Sequence, residues 1–243
     1  MKKTLLAAAL AVLFGFACTG DAPRWGYSGD TGPQHWAELS PQYRACAGKN
    51  QAPINLTGFT EADLQPIRFD YRPGGNEILN NGHTVQVQYA ADSSISVDGR
   101  AFALKQFHFH APSENHINGQ SFPMEAHLVH ADKDGHLAVI AVMFTHGEAN
   151  KGLAEAWANM PQHAGDKHAL PSPVAAADIL PANRDHYRFN GSLTTPPCTE
   201  GVRWLVMKNP VPASAEQIER FARVMHHPNN RPIQATNARA VLR

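Results

Sequence analysis

Two histidines stand two residues apart in Gln106-Phe107-His108-Phe109-His110, and this spacing is where the chain first suggests chemistry. Residues two apart on a β-strand share a face. Gln106, His108 and His110 therefore face one way, and Phe107 and Phe109 face a core behind them. Downstream comes Glu125-Ala126-His127-Leu128-Val129, where the same rule puts Glu125, His127 and Val129 on one face. If the two strands are neighbours, three imidazoles converge on one point. Three protein ligands with an open fourth position make a catalytic zinc site. Gln106 and Glu125 stand next to ligands, where each can accept a ring N–H and fix the tautomer. The plainer alternative is a set of hydrogen-bonded core histidines. It would leave several buried ring nitrogens without partners.

Strands must position these residues, and the pattern predicts many short ones. Segments 86–89, 94–97 and 101–110 alternate or carry β-branched and aromatic residues. Asp98-Gly99 between two of them is a strong hairpin signal. Segments 124–130, 137–144 and 202–208 continue the series. Two short helices are expected. One, 151–160, puts Leu153, Trp157 and Met160 on one face. The other, 214–226, opens with the capping box Ser214-x-x-Gln217 and carries Ile218, Phe221, Ala222 and Met225 at helical spacing. Pro228 lies beyond its end. No repeat, low-complexity stretch or linker divides the chain, so it reads as one mainly β domain with short helices.

Composition narrows the function classes. Lys+Arg and Asp+Glu are both 21, and charged residues are only 17%. A nucleic-acid partner needs a basic surface that this balance does not supply. A hydrophobic content of 43% is enough for a sizeable core and too high for a disordered chain. Fourteen histidines favour metal or proton chemistry.

Lys2 and Lys3 precede an almost wholly apolar run to Ala17, the pattern of a secretory signal and too short to span a bilayer. Residues 1–17 are thus a signal segment, 18–24 a short linker and 25–243 the domain. The longest later apolar run, 137–144, suits a buried strand, so no transmembrane helix is expected. Export makes disulfides permissible. Cys18, just behind the signal core, is the natural odd one out of three cysteines. It is either the lipid-modified first residue of a lipoprotein or a bystander near an ordinary cleavage site. Cys46 and Cys198 then pair, closing a loop of roughly 150 residues, a constraint of about 5 kcal/mol at most.

The stiff loop Gly191-Ser192-Leu193-Thr194-Thr195-Pro196-Pro197-Cys198 adds the deciding motif. With it, the chain resembles the alpha-class carbonic anhydrases, in their secreted bacterial branch. The match runs from Trp25-Gly26-Tyr27 through Asn80-Asn81-Gly82-His83, the His-Phe-His strand and Glu125-Ala126-His127. It ends at Asn229-Asn230-Arg231-Pro232, so it covers essentially the whole mature chain. The Cys46–Cys198 pair also looks like the disulfide of secreted members.

The resemblance implies a single domain on a large, twisted, mostly antiparallel sheet, with carbon dioxide and bicarbonate as substrate and product. It implies Zn(2+) on His108, His110 and His127, supported by Gln106, Glu125 and Asn229. In that family the metal acidifies a bound water, and the resulting hydroxide attacks carbon dioxide. Thr194 matches the residue that accepts the hydroxide proton and donates to a carboxylate, matched here by Glu114. Val129, Val139, Leu193, Val202 and Trp204, with Thr195, match the substrate pocket. His83 matches the group that carries protons to buffer. Tyr27, Asn81 and Gln86 match polar positions of the cavity, and Gln86 stands where some relatives carry Asn. A bacterial exported protein of this kind is expected in the periplasm. A homodimer is compatible with the sequence, which does not fix the oligomeric state.

Two rivals were weighed. His108-x-His110-x-x-x-Glu114 with a later histidine superficially fits a cupin-type metalloenzyme, with Glu114 as a ligand. The glycines of that motif are missing at Phe102 and Ser121, and a cupin does not explain the Thr-Thr-Pro-Pro loop. A non-catalytic binding module of the same fold would typically have lost a zinc histidine, and all three are here. The remaining histidines, including His116, His130, His136, His186 and the adjacent His226-His227, lack a same-face partner pattern and read as surface or structural residues.

Overall fold

A computed structural model describes residues 23–90 and 92–243 of the chain. The signal segment, Cys18 and most of the linker lie outside the described residues. The strands are β1 (Asn55–Leu56), β2 (Arg68–Asp70), β3 (Gly75–Asn80), β4 (Val85–Tyr89), β5 (Ser94–Val97), β6 (Arg100–His110) and β7 (His116–Ile117). They continue with β8 (Met124–Ala131), β9 (Leu137–His146), β10 (Lys167–Val174), β11 (His186–Ser192), β12 (Glu200–Met207) and β13 (Val211–Ala213). The α-helices are α1 (Trp36–Leu39), α2 (Lys151–Ala156) and α3 (Ala215–Met225).

Eleven strands make one large sheet with the main order β10-β3-β4-β6-β8-β9-β12-β11, and β1 and β7 pair separately. The sheet is mainly antiparallel, as expected. It is mixed because β12 and β13 both run parallel to β9. Alternation along the central strands sends side chains to two buried faces. On one, Phe107, Phe109, Ala126, Leu128, Ile140 and Leu205 join a core covered by Leu153, Trp157, Ile218 and Phe221 of the α2 and α3 segments. On the other, Val139, Ala141, Met143, Phe189, Val202 and Trp204 form a second apolar cluster. The imidazoles of His108 and His127 lie on this second side.

Departures from the sequence expectations are short elements that the pattern missed and shifts at element ends. The hairpin at Asp98-Gly99 forms, with both residues at positive φ (50° and 72°), the conformation that Asp-Gly tolerates. The capping box of α3 also forms, in both directions between Ser214 and Gln217. Helix α2 stops at Ala156, short of the expected Met160: Trp157 caps it at φ −96° and ψ 5°, and Pro161 keeps Met160 from extending it. Strands β1, β2, β3, β7, β10, β11 and β13 and helix α1 were not expected. β3 is bounded by Gly-Gly and Asn-Asn-Gly, and β10 carries Pro171 and Pro173, tolerable because β10 is an edge strand.

His130 is fully buried, and its ring accepts the Tyr71 hydroxyl at 2.6 Å. Its other nitrogen faces the Ala138 carbonyl at 3.3 Å. Burial lowers its pKa to about 3, so the native protein keeps it neutral. Between pH 6.5 and 3 the unfolded chain binds a proton that the folded chain refuses, so stability falls as pH falls. At pH 5 the loss from this group is about 2 kcal/mol. Urea melts of His130→Gln, which does not titrate, should show that much less acid sensitivity than wild type. Equal slopes for the two proteins would remove His130 from acid unfolding.

Candidate active site

Antiparallel pairing of β6 with β8 sets His108 directly opposite His127 and His110 opposite Glu125. Gln86 of β4 is the partner of His108 on the other side. The three imidazole centroids are 4.6 to 5.3 Å apart. One nitrogen from each ring lies within 4.8 Å of the others.

The outward nitrogens are all engaged. His108 Nδ1 meets Gln106 Oε1 at 2.8 Å, and His110 Nδ1 meets the Asn229 carbonyl at 2.7 Å. His127 Nε2 meets Glu125 Oε1 at 2.9 Å. Each partner is an acceptor, so each ring donates there and presents a bare lone pair at its inner nitrogen: Nε2 of His108, Nε2 of His110 and Nδ1 of His127. Burial holds all three pKa values below the ordinary histidine range, which keeps the rings neutral. His110 Nε2 is buried with no hydrogen-bond partner. A neutral three-nitrogen donor set with an orphaned lone pair fits a divalent metal ion of the zinc type.

Two buried carboxylates stand behind the rings. Glu125 Oε2 accepts the backbone N–H groups of Glu114 and Asn115, and Oε1 accepts the Asn115 amide as well as the His127 ring. Glu114 Oε1 accepts the Arg231 N–H at 2.8 Å. Its Oε2 has no hydrogen-bond partner and lies 3.5 Å from His110 Nε2 and 3.9 Å from His127 Nδ1. Burial, and the charge of Glu125, push the Glu114 carboxyl well above its usual range, opposed by the Arg231 backbone N–H and the Arg231 charge. The Arg231 guanidinium donates to Gln51 Oε1 and to the carbonyls of Ala52 and Cys46. Burial lowers its pKa to about 10, which leaves it cationic at neutral pH.

Thr194 sits in a braced loop. The Cys46–Cys198 disulfide forms, Cys198 N–H returns to the Thr195 carbonyl at 2.8 Å, and Gln51 holds the Cys198 carbonyl at 3.1 Å. A cavity of about 250 Å³ opens over the imidazoles. Val129, Val139, Leu193 and Trp204 line one side of it together with Thr194 and Thr195. Tyr27, Asn81, His83, Gln86 and Gln106 also line it. Val202, expected in the apolar wall, is instead buried in the cluster with Val139 and Trp204 and does not line the cavity.

His83 projects from a turn that Asn81 organises, its Oδ1 accepting the N–H groups of His83 and Thr84. The half-buried ring stacks on Trp25 with centroids 3.7 Å apart. Burial, and the charge of His227, lower its pKa. Sequence reasoning did not single out Trp25 as the floor under His83, Thr84 as a lining residue, or Asn115 and Arg231 as anchors of the carboxylates. Asn115 and Arg231 act through backbone neighbours far apart in the chain, which no local spacing reveals.

With this geometry in view, comparison with known proteins is direct. The family described as eukaryotic-type carbonic anhydrase matches residues 31–243. This chain belongs to that family, whose members of the alpha class are zinc enzymes. A carbonic anhydrase of Pectobacterium atrosepticum is 48% identical over 227 residues, 93% of each chain. One from Neisseria gonorrhoeae is 46% identical, covering 94% of this chain and 91% of the relative. The solved alpha-carbonic anhydrase of Thermovibrio ammonificans, in complex with the inhibitor sulfanilamide, superposes with a TM-score of 0.90 at 48% identity. It covers 91% of this chain and 100% of its own.

Gln106 offers a clean test of the support around the ligands, because it is only half-buried and its role at the site is one bond to His108. Gln106→Ala should weaken zinc about 10-fold in competition with a chelator, without changing the melting temperature of the zinc-free protein much. Unchanged affinity would mean that this bond does not set the donor strength of His108.

Proposed function

We propose that the chain catalyses the reversible hydration of carbon dioxide to bicarbonate and a proton, with Zn(2+) held by His108, His110 and His127. The observation that carries this reading is the set of three neutral imidazoles, each locked by an acceptor on its outer nitrogen, at the base of a cavity with an apolar side and a histidine at its mouth. Zinc, when bound, supplies the Lewis acidity that makes water a nucleophile near neutral pH.

The protein's own groups do the rest. Glu125 and Gln106, with the Asn229 carbonyl, hold the ligand rings in one tautomer. The Thr194 hydroxyl, with Glu114 as the acceptor for its own hydrogen, would accept a hydrogen bond from the attacking water and so fix where that water's lone pair points, which is catalysis by orientation. Val129, Val139, Leu193 and Trp204 offer an apolar berth to a small, uncharged, linear substrate and keep competing water from it. Thr195 stands at the edge of that berth. His83 takes up the released proton on its ring and hands it to buffer.

The same reading takes residues 1–17 as a secretory signal, 18–24 as a linker and 25–243 as the catalytic domain of an exported, periplasmic protein. Among the described residues no helix is long and apolar enough to cross a membrane, and the disulfide agrees with an oxidising compartment. Attachment, if any, would be through a lipid on Cys18.

Stopped-flow hydration of carbon dioxide by the mature chain should be fast, be lost on chelation and return with zinc. A folded, zinc-loaded protein without hydration would leave a metal site whose reaction is wrongly assigned, and would favour a binding module. His83→Ala should keep zinc yet lower turnover roughly 10-fold in weak buffer, with recovery on adding imidazole. Wild-type turnover of that variant in weak buffer would remove His83 from proton transfer.

A further inference from the structure

The pair His226-His227 has no same-face partner in the sequence, but the fold supplies one for His227. Helix α3 ends where His226 takes a left-handed conformation, φ 61°. The chain then turns back toward the cavity through His227, Pro228 and Asn229. Asn229 fixes this return, because its Nδ2 donates to the His83 carbonyl at 3.0 Å and to the Phe109 carbonyl at 2.9 Å. His227 is two residues from that clamp and is exposed.

Both imidazoles flank the same tyrosine. The Tyr27 ring centroid is 6.4 Å from that of His83 and 6.0 Å from that of His227. His227 Nδ1 faces the Pro228 carbonyl at 2.9 Å, and a carbonyl can only accept. The ring must therefore donate from Nδ1, which leaves Nε2 as a free acceptor. His83, by contrast, is half-buried and stacked on Trp25. A proton on His83 still has to reach open solvent.

We propose that His227, beside the cavity residue Tyr27, is a second proton-relay group, taking protons from His83 and delivering them to buffer. The proposal rests on His83 being the proton carrier. In the step, the N–H bond of protonated His83 breaks as an N–H bond forms at His227 Nε2, the proton passing through intervening water. The imidazolium of His227 then releases the same proton from Nε2 to a buffer base.

The test uses the zinc-loaded mature protein and the variants His227→Gln, His83→Ala and the double variant. Gln keeps a polar side chain without a titrating nitrogen. In weak buffer, His227→Gln should lower kcat about 2- to 3-fold with kcat/KM for carbon dioxide unchanged, and added imidazole should restore it. A merely structural residue would not produce that split.

A second readout does not depend on turnover. Tyr27 packs near His83, and a charge on His227 lowers the His83 pKa. His227→Gln should therefore move the NMR titration midpoint of the His83 ring upward. An unchanged kcat in weak buffer, or an unmoved midpoint, overturns the relay. If His83→Ala lowers turnover while His227→Gln does nothing, this proposal alone fails. If His83→Ala has no effect, the shuttle reading fails and takes the relay with it.

Discussion

The register between β6 and β8 is the constraint on which the site depends. It sets His108 against His127 and keeps all three imidazoles on one side of the sheet. A slip of one residue would turn the histidines into the aromatic core and bring Phe107 and Phe109 to the cavity. Burial of both faces prevents it, since Phe107, Phe109, Ala126 and Leu128 have no other place to go. The irregularity that β6 does contain falls between Leu104 and Gln106. From Gln106 onward the pairing is regular through His110, so the bulge re-aims the strand before the site begins.

Placing carboxylates deep inside a protein is costly unless their oxygens are satisfied. Glu125 meets this with four donors, which also fix Glu114 and Asn115 in space through their backbone N–H groups. Glu114 is satisfied on one oxygen by the Arg231 backbone and left bare on the other. The asymmetry is chemically useful. The fully bonded carboxylate holds a ring still, and the half-bonded one keeps an acceptor for a hydroxyl. Arg231 joins this centre to the Cys46 carbonyl and the segment at Gln51 and Ala52, so the disulfide, the threonine loop and the carboxylates share one buried frame.

The histidine triad and its two side-chain supports were legible because strand alternation is local and periodic. The hairpin and the capped helix were legible for the same reason. The resemblance brought in Thr194 and His83, which no local spacing relates to the triad, and gave Glu114 a role other than the ligand its spacing from His110 suggests. What stayed hidden was long-range. Trp25 under His83, Arg231 behind Glu114, and His227 beside Tyr27 are contacts between segments far apart in the chain. Val202 lies deeper than the lining residues. It shares a strand face with Trp204, but alternation decides which layer a side chain enters and not how deep it lies, so it fills the core beside the pocket.

The stack of Trp25 on His83 also determines where the chain enters the folded body: at the mouth of the cavity. The opposite terminus is held elsewhere. Leu242 exchanges backbone hydrogen bonds with Arg188 on the edge strand β11, and Arg243 pairs with Thr60, none of which lines the cavity. The two ends are therefore unequal as handles. A resin, a surface or a fusion partner joined upstream of Trp25 would crowd the cavity and the His83 ring together. The same cargo joined after Arg243 would leave both open.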